Sequence, residues 1–265
     1  GENEDRVSEE NRQRLLKAFG TVHRGASKQV RYRMTPDEVK PISTQDRPRD
    51  SIGLAALRRC EATVFADEHS FRLSDDELVP LLEEVRDDET LPRAAWKYVE
   101  NAFLFKTPLN IVLTTHKPER DFVRQLIKEE NAQIIDAWIK STDRDFYSIE
   151  YAWRKGEHPK RGYFNPDFFI RKTNAILVIE IKGDEEISDP SPENKGKYKY
   201  ARQHFETLNG QQTECTYLFH FLTPRDYDAF FSFLREGRHH KFVSALDAAL
   251  GDNGEPLGPN AEENT

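Results

Sequence analysis

The sequence predicts an α/β fold, a mixed β-sheet flanked by helices and preceded by a smaller α+β region. Three observations carry this. From residue 117 onward the signals run helix, strand, strand, strand, helix, strand, an order that builds a layered α/β domain. Two runs rich in β-branched and aromatic residues, Tyr163–Lys172 and Ala175–Lys182, are separated by the turn-like stretch RKTN, which reads as a hairpin. Helical stripes flank these runs on both sides.

The elements follow in order. A helix is expected at Glu9–Phe19, stopping at Gly20, followed by a strand at KQVRYRM and a loop at ISTQDRPRDS. CEATVFAD reads as a strand. SDDELVPLLEEVRDD opens on a Ser cap with acids in its first turn and reads as a helix. A second helix is expected through PRAAWKYVENAFLF. Residues 1–105 thus form an accessory region, and 106–250 form the main domain. In the main domain PLNIVLTTH is a strand. KPERDFVRQLIKEE is a helix with Phe122, Val123, Leu126 and Ile127 on one stripe. NAQIIDAWIKS is expected to continue helically, DFYSIEYAWRK is a strand, and GEHPKRG is a loop leading into the strand pair. ENKGKYKYARQHFETLN is a helix ending near Gly210, and ECTYLFHFL is a strand. Two helices follow, near 225–235 and 240–250. The tail 251–265 lacks periodicity and is expected to be disordered.

Composition narrows the class. The chain has 265 residues, of which 32% are charged, with a net charge of −8. No apolar run approaches the roughly 20 residues of a membrane helix, so no membrane partner is expected. The acidic, polar start is no secretory signal. The leading Gly, with the only Met at position 34, suggests a piece of a longer polypeptide. Cys60 and Cys215 lie among apolar residues and are expected to be buried thiols in a reducing, cytoplasmic compartment. The acidity argues against a general coating of nucleic acid. Yet residues 152–172 hold six basic residues and only two acids, a local rim suited to phosphate.

The strand pair poses the chemical question. Asp167, Glu180 and Lys182 lie where a sheet should be apolar, and burying charge costs several kcal/mol unless it is paired or metal-bound. Glu180 and Lys182, two apart, project from one face. With Thr173–Asn174 as the central turn residues, paired positions sum to 347, so Asp167 faces Glu180 with Cβ atoms about 4.5–5.5 Å apart. Two carboxylates that close repel each other, and a hard divalent cation between them turns repulsion into binding.

The pattern P-D-x12-E-x-K, formed by Pro166, Asp167, Glu180 and Lys182, resembles the signature of the PD-(D/E)XK nuclease superfamily. More widely, residues 103–209 resemble the C-terminal nuclease region of type III restriction endonuclease subunits and related superfamily 2 helicase–nuclease proteins. The resemblance implies a restriction-endonuclease-like sheet and a nuclease domain over 106–250. Asp167 and Glu180 would hold Mg2+ (or Mn2+ in its place), with the Ile181 carbonyl as a further ligand. Lys182 would position the attacking water or neutralise developing charge. Such proteins carry a helicase motor upstream, and a modification or specificity subunit beside it. The chain contains no G-x-x-x-x-G-K-[ST] loop, so the motor's phosphate cradle is not in it.

Glu119 points along the apolar stripe of its helix, and the resemblance makes it a fourth catalytic candidate. The alternative is a first-turn acid favoured by the helix dipole. His116 just before it reads as structural. Lys195, Lys199 and Arg202 share a helical face, and Lys160 and Arg161 lie close to Asp167. All five are candidate DNA contacts, the alternative being a solvated face. Other chemistries read poorly. His239–His240 lacks zinc-ligand spacing, and no G-x-S-x-G is present. The acid pair alone would suit a glycosidase, but Lys182 and the basic rim fit phosphate better. The expectation is therefore a Mg2+-dependent DNA endonuclease domain of a bacterial restriction or phage-defence helicase–nuclease. Its rivals are a catalytically silent nuclease-like module and a nuclease for RNA or branched DNA.

Overall fold

The computed structural model describes residues 62–67, 96–99, 104–109, 111–141, 147–155, 158–211 and 215–251. The helices expected at Glu9–Phe19 and from Ser74, the strand KQVRYRM, Cys60 and the tail beyond Gly251 lie outside these residues.

The central sheet has four strands. β4 (Ala137–Lys140), β7 (Phe168–Lys172) and β8 (Ala175–Ile181) pair antiparallel in the order β4-β7-β8. β9 (Thr216–Leu222) adds parallel to β8. A parallel neighbour needs a long crossover, and helix α4 (Pro192–Gln211), which follows the short α3 (Glu185–Ser188), supplies it. Here the expectation of a mixed sheet flanked by helices is met. The alternation along β8 builds both sides of the core. Leu177, Ile179 and Ile181 face α1 (Lys117–Leu126) and α5 (Tyr227–Arg235), packing with Phe122, Phe168, Phe230 and Phe231. Val178 faces α4, packing with Tyr198, Ala201, Phe205, Phe219 and Phe221. The predicted stripe on α1 is the buried one, with Phe122, Val123 and Leu126 fully covered.

Four local expectations are corrected. The helical continuation expected over 131–141 stops at Ala132: after the short α2 (Glu129–Ala132) the chain forms β4, and Trp138, 1% exposed, pairs with Ile170. The sheet supplies backbone partners and a pocket for the indole, which outweighs helical propensity. Residues 96–99 are likewise a strand, β2 (Trp96–Val99), parallel to β1 (Thr63–Asp67), rather than part of a helix. The loop expected at 156–162 is largely β6 (His158–Phe164), which closes a hairpin with β5 (Ile149–Lys155). Pro159 is tolerated there because β6 is an edge strand. Finally, Tyr163–Lys172 is not one strand. It breaks at Asn165–Asp167, where Pro166 has no N–H to give to a ladder.

β1 also pairs antiparallel with β3 (Ile111–Thr114), giving a second sheet in the order β2-β1-β3. Phe65, Val99 and Val112 from that sheet join the core around Phe122. The boundary placed at residue 105 therefore runs through a sheet and a core, and the described parts on its two sides are packed together. Cys215, just ahead of β9, is half-buried rather than buried.

Candidate active site

The turn between β7 and β8 sets the site. Pairs from Phe168↔Ile179 to Lys172↔Ala175 all sum to 347, as the turn arithmetic predicts. Thr173 takes the left-handed conformation this requires, with φ of 53°. Its N–H donates to Asp136 Oδ2 at 2.6 Å, which anchors the turn to the segment before β4. Asp167 then stands one step before β7, opposite Glu180 in the same register. Its main chain is fixed by the residue after β4: Ser141 N–H donates to the Asp167 carbonyl at 2.8 Å, and Ser141 Oγ–H to the Pro166 carbonyl.

The side chains converge from two faces. Asp167 Oδ2 accepts from the Ile181 N–H at 2.7 Å. On the α4 face, Lys182 Nζ donates to Glu180 Oε1 at 2.6 Å and lies 5.6 Å from the centre of the Phe221 ring. Glu180 is 5% exposed, and its Oε2 is buried with no hydrogen-bond partner. Burial, reinforced by the like charge of Asp167, pushes its pKa up to about 7 against the opposing pull of Lys182. Burial alone would lower the pKa of Lys182, but Glu180 and Asp167 raise it above the ordinary lysine range, so it stays an ammonium.

Glu119 belongs to the other face. It is buried on the α1 stripe, with Oε2 3.4 Å from Lys140 Nζ, and Lys140 lies over the Phe168 ring. Burial raises its pKa, Lys140 opposes this, and Asp167 adds to it. Asp167 thus carries the charge felt by both glutamates. Glu119 and Glu180 nevertheless reach it from opposite sides of the sheet. No group of three or more His, Cys, Asp or Glu side chains placed to hold a metal occurs among the described residues. The available donors, two carboxylates and the Ile181 carbonyl, are hard oxygens and fit Mg2+ in type. The unpartnered Glu180 Oε2 is the feature such an ion would satisfy.

The candidate DNA contacts separate. Lys195, Lys199 and Arg202 all lie exposed on the outer face of α4, where Arg202 pairs with Glu206 at 3.4 Å. Lys160 and Arg161 are exposed on β6, with Arg161 2.9 Å from Glu150. His116 is exposed at the start of α1.

One residue escaped the sequence reading. Lys197 turns inward from α4, with Nζ 3.4 Å from Glu193 Oε1 and 5.6 Å from the Tyr151 ring centre. Tyr151 donates its O–H to the same Glu193 oxygen at 2.7 Å. The charge of Lys197 reaches Glu180, and that of Lys182 reaches Glu193. The available signal was helical spacing: Lys197 lies on the face of the buried Asn194, Tyr198 and Ala201.

Compared with protein-family models, with curated proteins and with solved structures, this chain matches none.

Proposed function

We propose that this chain is a Mg2+-dependent DNA endonuclease domain with a restriction-endonuclease-like core, working in the cytoplasm beside a helicase motor in a restriction or phage-defence system. One observation carries the reading. Asp167 and Glu180 face each other at the open end of β7–β8, and Lys182 is ion-paired on the same strand. The strand order β4-β7-β8-β9, with α1 before it and α4 crossing over, supports the same reading.

Asp167, Glu180 and the Ile181 carbonyl would hold Mg2+, which when bound supplies Lewis acidity at the phosphate and a more acidic water. The residues' own tasks follow from their charge states. Lys182, kept protonated by two acids, cannot act as a base; it orients the nucleophilic water and offsets negative charge growing on the phosphate. Glu180 must lose its proton to serve as a ligand, so metal affinity should fall as pH drops below about 7. Glu119, held by Lys140, tunes the field at Asp167 from the opposite face.

A second reading, a silent nuclease-like module that binds DNA without cutting it, gains from the protein partners already held by Glu180 Oε1 and Asp167 Oδ2. The deciding experiment is nicking of supercoiled plasmid in Mg2+, Ca2+ or EDTA by the wild type and Asp167→Asn. Mg2+-dependent nicking that Asp167→Asn abolishes supports the nuclease. DNA binding without nicking in any metal supports the silent module. Nicking by Asp167→Asn at the wild-type rate would sink the site assignment.

A further inference from the structure

We infer that the β5–β6 hairpin is a platform for unpaired bases, with Tyr163 stacking on a base and Arg154 and Arg161 holding the adjoining phosphates. This deepens the nuclease reading and rests on it for the identity of the strand. Three observations carry it.

First, Tyr163 is 71% exposed, one of two large hydrophobic side chains so exposed among the described residues. Every other tyrosine in the hairpin region is at least half-buried: Tyr147 stacks on Phe205 and Tyr151 on Trp153.

Second, the register assigns its companions. Tyr163 pairs with Glu150 and Arg161 with Ala152, so Tyr163, Arg161 and Arg154 share one face by alternation. Both arginines are exposed. Glu150 engages Arg161 at 2.9 Å and fixes its direction. Lys160, the next position along, points to the opposite face of the hairpin. On a chain of net charge −8, this face is complementary to phosphate.

Third, the hairpin runs straight into the site. Only Phe164, Asn165 and Pro166 separate Tyr163 from Asp167. Four residues span at most about 14 Å, or roughly four nucleotides at about 3.4 Å each. Phe164 is buried and the Asp167 main chain is tied to Ser141, so the two ends of this short link are anchored.

An exposed ring beside cations is how proteins hold single strands, because a base offers its π-face only when it is unstacked. In an intact duplex that face is covered. The platform therefore favours DNA with a gap, flap or separated strand near the cut, the kind of substrate an upstream strand-separating motor would deliver.

The test needs no catalysis. Labelled oligonucleotides are titrated with the whole chain in EDTA and followed by fluorescence anisotropy, using a single strand, a flapped duplex and a blunt duplex. We expect the wild type to bind the first two more tightly than the third. Tyr163→Ala should lose about tenfold on the single strand and flap and change little on the blunt duplex. Tyr163→Phe should bind like the wild type, since stacking needs the ring and not the hydroxyl. Arg154→Gln should weaken all three alike and flatten the salt dependence. Equal binding by Tyr163→Ala and wild type, or an equal loss on all three DNAs, would overturn the platform. Because the metal is absent, these outcomes are independent of cleavage. A chain that cuts while Tyr163→Ala is silent refutes only the platform, and a chain that never cuts while Tyr163→Ala shows the selective loss refutes only the nuclease.

Discussion

Glu180→Gln should stabilise the metal-free protein at pH 8 and abolish its activity. The magnitude follows from the site. An exposed glutamate titrates near 4.5, whereas burial and the charge of Asp167 hold Glu180 up at about 7. A gap of about 2.5 pH units, at about 1.4 kcal/mol each, is roughly 3 kcal/mol. The sign is fixed by which state keeps the proton. Between pH 4.5 and 7 the unfolded chain releases it while the folded chain retains it, so stability falls as pH rises through this window and is constant above it. Below pH 4.5 both states are neutral at this position and the glutamine gains nothing. Gln keeps the shape and an oxygen for Lys182, so packing is conserved. His204 works the other way: burial beside Tyr147 holds its pKa down to about 4, so its contribution is lost as pH falls from 6.5. The two slopes offset each other in the wild type, and only the difference between variant and wild type isolates Glu180. The assay is urea unfolding in EDTA at pH 4.5 and pH 8, followed by far-UV circular dichroism. The gain should be roughly 3 kcal/mol at pH 8 and near zero at pH 4.5. Mg2+ should raise the wild-type midpoint at pH 8 and leave Glu180→Gln unmoved. A variant less stable than wild type at pH 8, or an equal gain at both pH values, would refute the reasoning.

Three further changes probe the surrounding structure. Lys182→Met should slow cleavage on the order of a hundredfold while leaving Mg2+ affinity by calorimetry within a few-fold, since an ammonium is no metal ligand; parallel losses in both would make Lys182 structural. Gly196→Ala should destabilise by about 1–2 kcal/mol in urea, because the new Cβ would lie 2.9 Å from the Ala152 carbonyl and 3.0 Å from Trp153 Cβ, a backbone contact that helical propensity does not repay; unchanged stability would mean α4 is less tightly seated on β5. Thr173→Gly should stabilise by about 1 kcal/mol by relieving a β-branched residue at φ 53°, read as a higher melting temperature; a lower one would show that the turn does not need that conformation.

Where the sequence was legible, the information was local. The β7–β8 register depends on a two-residue turn and the period of a strand, so arithmetic on positions suffices to set Asp167 against Glu180. The α1 stripe depends on helical spacing alone. From sequence alone β2 and β4 read as helix because Lys97, Ala137 and Lys140 are good helix formers beside the aromatics. Only distant partners, β1 for one and β7 for the other, make the extended form the better solution. No short window of sequence contains those partners. The hairpin strand β6 was hidden for a related reason: Gly, Pro and charge signal a loop, and only seven continuous pairs with β5 override them.

The site shows the same division. Asp167, Glu180 and Lys182 could be placed because two strands joined by one turn hold them. Which face each acid uses could not, since that depends on how the helices pack. Glu119 lies on α1 and meets the sheet from the Phe168 side, while Lys182 meets Phe221 on the α4 side. Lys197 is the sharper case. Its inward turn requires α4 to press on β5 at Gly196, where the Cβ of any other residue would clash, and Tyr151 to reach Glu193 from the hairpin. Neither contact joins neighbours in the chain. The result is a set of charges, Glu180, Lys182, Glu193 and Lys197, whose mutual influence joins a strand to a crossover helix. Removing the hairpin would therefore do more than remove basic surface. Without Tyr151, Glu193 loses the hydrogen bond that most depresses its pKa, and Lys197 loses an aromatic wall. The hairpin thus supports the site with Tyr151 on one face and carries the exposed Tyr163 on the other.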